Sequence, residues 1–579
     1  MRTRIQTLFF CILGVTAAIV IRLAYWQIVK GPALQAQARD QYSAKDVRVP
    51  ERGEITTADG YPLVVNEPRY TLGVYTPGFK ETPKHLIDAV MPLLTWDIDD
   101  ISIATDSAKS ELFLKEQKAT TEATMYDRLG KGGYAVLASN LNSAVKNNIL
   151  ATGVEGLTFD ETFTRAYPEA SLSAHVTGFV GKGEVGEPIG YFGLEGYYDR
   201  ELTGRSRIEN QERDGLGNPL LVGDFQLMPG RAGRSLKLHL ERGTQYLVED
   251  ELKKGLERYG AKSGEAIVMD PKTGAILAMA SLPTYDQTKF FRFDTSLYKN
   301  PSIANTYEPG STFKVLVAAA AFNENVISEE DRCDSCAGPV EIGKYTIKTW
   351  DNEYRPEATP EEIITHSDNT GMVWMQQKLG GDKFLDYLRN FGFGQKTGID
   401  LQEEVSSPLR TRWGDIDYAT ASFGQGIAVT SIQMVRAVGA LANGGILMEP
   451  HIVDTVLGDE DLAIKPKEVR QVVSADASRR VKDLMVKAVD DGEAKWAKPK
   501  GYKIAGKTGT AQIAVLGHYD AEKTIASFVG FAPADNPRFV MLVKLNEPQS
   551  SQWGSETAAP LWFAISRKLF LHYNIPPTE

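Results

Sequence analysis

The chain begins with an apolar run that is too long and too hydrophobic for the surface of a water-soluble domain. Arg2 and Arg4 precede an uncharged stretch over residues 5–21, and Tyr25 and Trp26 follow it. A segment of about 20 apolar residues can cross a bilayer as a helix, with aromatic residues at the interface. We predict an uncleaved signal anchor over residues 1–30, with a cleaved signal peptide as the alternative. The arginines predict a cytoplasmic tip and an extracytoplasmic (periplasmic) remainder.

The length and charge of the chain indicate how many domains it forms and which partners it can bind. It has 579 residues and a net charge of -11. A chain of this length is expected to form two or more domains, each with its own core. Binding to nucleic acid depends on clustered lysines and arginines, and we find no such cluster. The sequence therefore predicts a membrane-anchored, multidomain protein without a nucleic-acid partner.

The residues after the anchor divide into two parts. Residues 47–76 alternate apolar and polar side chains between turn signals, as strands do, and residues 163–204 are rich in Gly and Pro. From residue 236 onwards, strand and helix patterns alternate as in a compact α/β domain. We predict an elongated, mixed, non-catalytic domain over residues 31–235 and an α/β (α+β) domain over residues 236–579.

A serine and a lysine with i,i+3 spacing form the first candidate for chemistry. Ser311 and Lys314 lie in EPGSTFKVLVAAAAF, at the start of a helix that is apolar almost all round. This spacing places the hydroxyl and the amine on one face of the helix. A buried lysine kept neutral by desolvation can take the proton of a serine nucleophile. The same spacing occurs at Ser143 and Ser296 without a buried helix, and an N-cap role for Ser311 remains an alternative.

Ser-Asp-Asn at residues 367–369 forms the second candidate, at the junction of a short and a longer predicted helix. We expect Ser367 to relay a proton towards the leaving amine and Asn369 to hold the substrate amide. Asp368 is expected to contribute to substrate binding. Helix capping is the alternative for all three, since Ser, Asp and Asn are good N-caps.

Lys-Thr-Gly occurs three times, and only context separates the copies. Lys272 lies in a predicted hairpin turn, and Lys396 lies in a predicted loop entering a strand near Asp400. Lys507 lies on a predicted strand, in KIAGKTGTAQIAVL. We therefore expect Lys507 to be the functional copy, and its charge to help keep Lys314 neutral.

The strand that carries Lys507 is expected to form one wall of the site. Lys507 and Thr508 would bind a substrate carboxylate, together with Gly509 and Thr510. The backbone N–H groups of Ser311 and Thr510 would form an oxyanion hole. The predicted site contains no metal and no cofactor.

S-x-x-K, S-x-N and K-T-G in this order are typical of penicillin-recognising serine enzymes. The chain resembles a class B penicillin-binding protein, a monofunctional peptidoglycan D,D-transpeptidase, and is most similar to the septal, FtsI-type branch. The resemblance covers nearly the whole chain and includes these further stretches: RGEITTADG (52–60), RAYPEASLSAHVTGFVG (165–181), GLEGYYDRELTG (193–204), SFGQGIAVTSIQM (422–434) and SFVGFAPADNPR (527–538).

The resemblance implies a penicillin-binding transpeptidase fold, with a central antiparallel sheet flanked by helices, after a pedestal or dimerisation-type domain. It implies that Ser311 is acylated by a stem peptide ending in D-Ala-D-Ala, or by a β-lactam, and that an amine from a second stem resolves the acyl-enzyme. It also implies a SEDS-type membrane glycosyltransferase and divisome proteins as partners. The alternatives are an elongation-type transpeptidase, a D,D-carboxypeptidase or β-lactamase of the same fold, and a non-catalytic β-lactam sensor or scaffold.

The pair Cys333 and Cys336, in RCDSCAG, stands outside the resemblance. A local disulfide is one reading in an extracytoplasmic protein. A zinc site would require two further ligands, which the sequence does not indicate.

Overall fold

The computed structural model describes residues 2–35, 43–48, 50–96, 107–184, 186–212, 225–515 and 518–577. The chain forms two compact units, of which the first comprises residues 1–52 and 203–233 and the second comprises residues 53–202 and 234–579.

The strands, in chain order, are β1 (Ser43–Arg48), β2 (Ile55–Thr56), β3 (Pro62–Tyr75), β4 (Tyr134–Leu141), β5 (Leu157–Ala166), β6 (Phe179–Lys182), β7 (Pro188–Tyr191), β8 (Arg207–Glu212), β9 (Phe225–Met228), β10 (Ser235–Leu238), β11 (Ser263–Met269), β12 (Ile276–Leu282), β13 (Thr306–Tyr307), β14 (Val340–Ile342), β15 (Tyr345–Ile347), β16 (Val429–Thr430), β17 (Ile446–Met448), β18 (Val453–Leu457), β19 (Leu462–Ala463), β20 (Glu468–Gln471), β21 (Ala505–Val515), β22 (His518–Ala532) and β23 (Phe539–Asn546).

The α-helices are α1 (Arg2–Ala24), α2 (Pro83–Val90), α3 (Ser107–Gly130), α4 (Ser143–Leu150), α5 (Ala174–Thr177), α6 (Gly193–Tyr197), α7 (Asp199–Thr203), α8 (Arg242–Tyr259), α9 (Pro301–Ala304), α10 (Lys314–Asn323), α11 (Pro360–Thr365), α12 (Asn369–Leu379), α13 (Gly381–Asn390), α14 (Asp415–Ser422), α15 (Ser431–Ala442), α16 (Ala475–Asp490) and α17 (Ala558–His572). Short 3₁₀ helices include Gly310–Phe313 and Lys495–Ala497.

The first unit contains the apolar N-terminal helix. α1 continues through a π-helical turn to Val29, and Arg2–Val29 is long and apolar enough to cross a membrane. None of the residues of α1 is buried in the protein, as expected for a helix that contacts lipid. This helix fits single-pass membrane anchoring. Strands β1, β8 and β9 form an antiparallel sheet in the same unit.

A sheet of the second unit connects distant parts of the sequence. Its strand order is β19-β18-β10-β2-β3-β4, and β5 pairs with β3. Strand β10 is parallel to β2 and antiparallel to β18, so residues 53–202 share one compact unit with residues 234–579. The sequence analysis predicted no element at helix α3. Its apolar residues form no continuous stripe, and among its described side chains only Met125 and Leu129, in the last turns, are buried.

The central sheet has the order β12-β11-β23-β22-β21, and every pair of strands is antiparallel. Its two faces pack into two different cores, because side chains alternate between the faces. In β23, for example, Val540 and Leu542 join one core while Met541 and Val543 join the other. Helices α8 and α17 cover one face, and α10 and α15 lie on the other. The predicted antiparallel sheet flanked by helices is confirmed.

The three K-T-G copies lie in three different settings. Lys272 is exposed in the turn between β11 and β12, as predicted, and Lys507 lies on β21, an edge strand of the central sheet. Lys396 is exposed in a loop, but the strand expected near Asp400 does not form. The buried carboxylate of Asp400 instead accepts the N–H groups of Ile452 and Val453 at 2.7 and 2.9 Å, which fixes the loop in place.

Cys333 and Cys336 form a disulfide, with Cα atoms 5.5 Å apart and both residues buried. The C-x-x-C pair is therefore a local disulfide and not part of a zinc site. The N–H of Cys333 donates to the carbonyl oxygen of Ala358 at 3.0 Å, so the disulfide is attached to the segment that leads into α11.

Candidate active site

The turn that carries Ser311 is a 3₁₀ helix, Gly310–Phe313, which continues directly into α10. Helix α10 is buried along nearly its whole length, because residues 314–322 are all buried and only Lys314 among them is polar. The core thus holds the turn rigidly. Ser311 itself is half-buried, and within the described residues its hydroxyl forms no hydrogen bond. The nucleophile candidate is accessible at the end of a fixed helix.

Lys314 is fully buried one turn after Ser311. Its Nζ donates to the carbonyl oxygen of Ser367 at 2.6 Å and to Oδ1 of Asn369 at 2.8 Å, and lies 3.3 Å from Oγ of Ser367. Burial, followed by the charge of Lys507, lowers the pKa of Lys314 well below its usual value. A neutral amine has two N–H donors and one lone pair, so the lone pair remains able to accept a hydroxyl proton.

Ser-Asp-Asn lies between α11 and α12, as the sequence predicted. Ser367 is buried and has a φ of 57°, an unusual backbone conformation for a residue other than glycine. Asn369 connects two parts of the site, because its Oδ1 accepts from Lys314 and its Nδ2 donates to the carbonyl oxygen of Lys348 at 3.0 Å. The structure therefore brings Ser367 and Asn369 to the amine of Lys314.

Asp368 lies at the predicted helix junction and caps the following helix. Its Oδ1 caps α12, accepting from the N–H groups of Thr370 at 2.8 Å and Gly371 at 3.2 Å, and the residue is only 1% exposed. This arrangement does not support the direct substrate contact expected for Asp368, and it matches the capping alternative instead. The charge of Asp368 acts on the site indirectly, because it raises the pKa of Lys314 against the larger effect of burial.

Strand β21 provides the opposite wall. Lys507 is 3% exposed, and burial lowers its pKa to about 8. Its Nζ makes only long contacts, to the carbonyl oxygen and Oγ1 of Thr508 at 3.3 and 3.2 Å. Within the described residues Lys507 has no ion-pair partner, so a carboxylate from a ligand could supply the missing counter-charge.

The Ser311 turn and β21 approach each other so closely that both chains carry glycine at the contact. A Cβ on Gly509 would lie 2.8 Å from the side chain of Thr312 and 3.1 Å from the carbonyl oxygen of Pro309. Gly310 has a φ of 56°, and a Cβ there would lie 3.0 Å from the carbonyl oxygen of Thr510. Ser311 and Thr510, the residues whose N–H groups were predicted to form the oxyanion hole, are therefore neighbours in space.

Two tryptophans near the site were not singled out in the sequence. Trp350 donates from Nε1 to the carbonyl oxygen of His366 at 3.0 Å, next to Ser367, and its ring lies 5.1 Å from that of Trp553. The residue after Trp553, Gly554, donates its N–H to Oγ1 of Thr510 at 2.9 Å. The two rings thus connect the Ser-Asp-Asn side to the K-T-G side. Both lie in loops without a periodic pattern, so the sequence carried no signal that singled them out.

Together these residues can perform an acyl transfer. The buried amine of Lys314 lies one turn after Ser311 and contacts Ser367, and an unpaired cation stands on the facing strand. A lowered pKa favours the neutral form of this amine, and a neutral amine can take the proton of a serine hydroxyl.

Comparisons with known proteins agree with this geometry. The family model "Penicillin binding protein transpeptidase domain" matches residues 264–568, and the model "Penicillin-binding Protein dimerisation domain" matches residues 47–238. "Stage V sporulation protein D" of Bacillus subtilis (strain 168) is 32% identical over 100% of this chain and 87% of its own length. "Peptidoglycan D,D-transpeptidase FtsI" of Escherichia coli (strain K12) is 29% identical over 99% of this chain and 92% of its own.

The crystal structure of penicillin binding protein 2X from Streptococcus thermophilus has the same fold. It superposes with a TM-score of 0.75 at 22% identity, covering 92% of this chain and 80% of that one. The two family models account for most of the chain, and the similarity to relatives extends across its whole length. The chain therefore belongs to the class B penicillin-binding proteins, the monofunctional peptidoglycan D,D-transpeptidases.

Proposed function

We propose that Ser311 is the nucleophile of this D,D-transpeptidase and that Lys314 is its general base. The observation that carries the proposal is the buried amine of Lys314, which lies one turn after Ser311, is hydrogen-bonded to Ser-Asp-Asn, and has a pKa that burial lowers well below its usual value. Ser311 Oγ attacks the carbonyl carbon of the penultimate D-Ala of a stem peptide, and its proton passes to Nζ of Lys314. The N–H groups of Ser311 and Thr510 stabilise the oxyanion.

Collapse of the tetrahedral intermediate releases the terminal D-Ala. Its nitrogen needs a proton, and Ser367, 3.3 Å from Nζ of Lys314, relays that proton from the lysine. Lys507 and Thr508 bind the terminal carboxylate of the donor before it leaves. An amine of a second stem peptide then attacks the ester of Ser311, which cross-links the two stems. A β-lactam acylates the same serine.

Labelling with a fluorescent penicillin tests the assignment of the nucleophile. The wild-type chain is expected to be labelled covalently, and Ser311→Ala is expected to lose all labelling. Labelling that persists in Ser311→Ala would place the nucleophile elsewhere. Analysis of products from a stem-peptide donor with an added amine then separates transpeptidation from hydrolysis by a D,D-carboxypeptidase or β-lactamase. A protein that is acylated but forms neither product would be a sensor.

We further propose that the protein acts at the division septum, together with a SEDS-type glycosyltransferase and divisome proteins. Support comes from the form of the stretches around EPGSTFK and SFVGFAPA and from the full-length similarity to a relative named FtsI. In this proposal residues 31–235 form a pedestal or dimerisation-type domain, residues 236–579 form the transpeptidase domain, and both face the periplasm. A fluorescently tagged chain in dividing cells should concentrate at midcell, whereas an even distribution along the side wall would indicate an elongation role.

A further inference from the structure

A cleft with a volume of about 210 Å³ lies beside the Ser311 turn, and the mechanism above does not use it. Its walls include Glu308, Arg410, Trp413 and the backbone of Gly426. Glu308 precedes the nucleophile by three residues and lies just before the 3₁₀ turn Gly310–Phe313. A group bound at its carboxylate is therefore held close to the N-terminal end of that turn.

The carboxylate of Glu308 is held in a fixed position. It accepts the N–H of Gly426 at 3.0 Å and the hydroxyl of Tyr519 at 3.1 Å. The segment with Gly426 is itself attached to the turn, because the N–H of Gly310 donates to the carbonyl oxygen of Gly424 at 3.0 Å. Burial, and after it the charge of Glu308, raise the pKa of Tyr519 to about 12. This hydroxyl therefore remains a donor at neutral pH.

Within the described residues Glu308 has no ion-pair partner. Arg410 lines the same cleft, but its guanidinium is paired with Asp417. The other groups at the Glu308 carboxylate are neutral, namely a backbone N–H and a phenol. Burial raises the pKa of Glu308 above its usual value, although its hydrogen bonds and the more distant Arg410 oppose the shift. A half-buried carboxylate without an ion-pair partner is stabilised by a cation that enters the cleft.

We propose that this cleft is the acceptor subsite, in which Glu308 binds the primary ammonium group of the second stem peptide. The inference rests on the proposed function, which assigns the acyl-enzyme to Ser311. The acceptor carries a positive charge until it reacts, and Glu308 is an uncompensated negative charge just before the Ser311 turn. The donor carboxylate thus binds at Lys507 and the acceptor ammonium binds at Glu308, so the two groups of opposite charge occupy different places.

The bound ammonium loses one proton to solvent or to Lys314 and becomes a neutral amine. Its nitrogen then attacks the acyl carbon, so that a C–N bond forms and the bond from that carbon to Oγ of Ser311 breaks. The second proton of the nitrogen passes to Oγ, which regenerates the hydroxyl. Glu308 is not consumed in this step. Its contribution is to raise the local concentration of the amine and to orient it.

The test separates the fate of the acyl-enzyme from its formation. The full-length protein in detergent is given a benzoyl-D-alanyl thiolester as donor and D-alanine as the amine acceptor, and both the amide and the hydrolysis product are measured. Glu308→Gln removes the charge and keeps one oxygen, which can still accept from the N–H of Gly426, while its amide NH₂ can donate to the hydroxyl oxygen of Tyr519. Glu257→Gln, which changes an exposed carboxylate on α8 outside the cleft, is the matched control.

We expect Glu308→Gln to lower the ratio of amide to hydrolysis product at least tenfold, with penicillin acylation of Ser311 unchanged within about twofold. Glu257→Gln should match the wild type in both. An unchanged ratio in Glu308→Gln would overturn the acceptor subsite, and so would an equal loss of penicillin acylation, because Glu308 would then serve the first half-reaction. Failure of the wild type to react with penicillin would overturn the proposed function instead, and this result is distinct from the other two.

Discussion

Replacing Lys507 by methionine should stabilise the fold while abolishing acylation. The ammonium of Lys507 is 3% exposed and has no ion-pair partner within the described residues. Its burial lowers the pKa from 10.5 to about 8. At about 1.4 kcal/mol per pH unit, this difference corresponds to a cost of about 3 kcal/mol for keeping the charge in the folded protein. Methionine has a similar length and no charge, so it removes this cost.

The long contacts of Nζ with Thr508 are worth at most about 1 kcal/mol, which leaves a net gain of about 2 kcal/mol at pH 7. The gain should depend on pH. Between pH 8 and 10.5 the folded wild type releases the proton of Lys507 while the unfolded chain keeps it, so wild-type stability rises with pH in this window. The advantage of Lys507→Met should therefore be complete below pH 8 and should disappear as the pH approaches 10.5.

The free energy of unfolding can be measured by guanidinium denaturation of the full chain in detergent, followed by tryptophan fluorescence at pH 7 and pH 10. Labelling with fluorescent penicillin at pH 7 provides the functional readout. A variant that is less stable than the wild type at pH 7 would refute the reasoning. An equal difference in stability at both pH values would also refute it, since the gain would then come from packing and not from charge.

Two further predictions concern the K-T-G copies and the disulfide. Lys507→Ala should abolish labelling by fluorescent penicillin, whereas Lys272→Ala and Lys396→Ala should leave it nearly unchanged, because those two side chains are exposed in a turn and a loop; a loss in either of the latter would contradict the assignment. Replacing Cys333 and Cys336 together by serine should lower the free energy of unfolding by about 2 kcal/mol, from the chain entropy of the short loop they close. Dithiothreitol should then destabilise the wild type but not the double variant, and equal sensitivity of the two would argue against a disulfide that contributes to stability.

Local features of the sequence were sufficient for the elements that bear the chemistry. Residues 314–322 are apolar apart from Lys314, and a helix of this kind can only be buried, so the position of that amine in the core followed from the pattern. The turn at Lys272 and the strand at Lys507 were likewise predicted from their neighbours, since Gly, Pro and alternating side chains act over a few residues. Helix α3 was missed because its charged residues give no stripe that faces a core.

Contacts between residues far apart in the sequence were decided by the tertiary structure. The hydrogen bonds of Lys314 with Ser367 and Asn369 join positions more than 50 residues apart, and the close approach of Gly310 to Thr510 joins positions about 200 apart. The capping role of Asp368, the pairing of Trp350 with Trp553 and the cleft at Glu308 have the same origin. The sequence by itself determined which side chains could act, because reactivity is a property of residue type and local pattern. Only the folded chain decided which of them act together, because burial and charge at each atom depend on every segment packed around it.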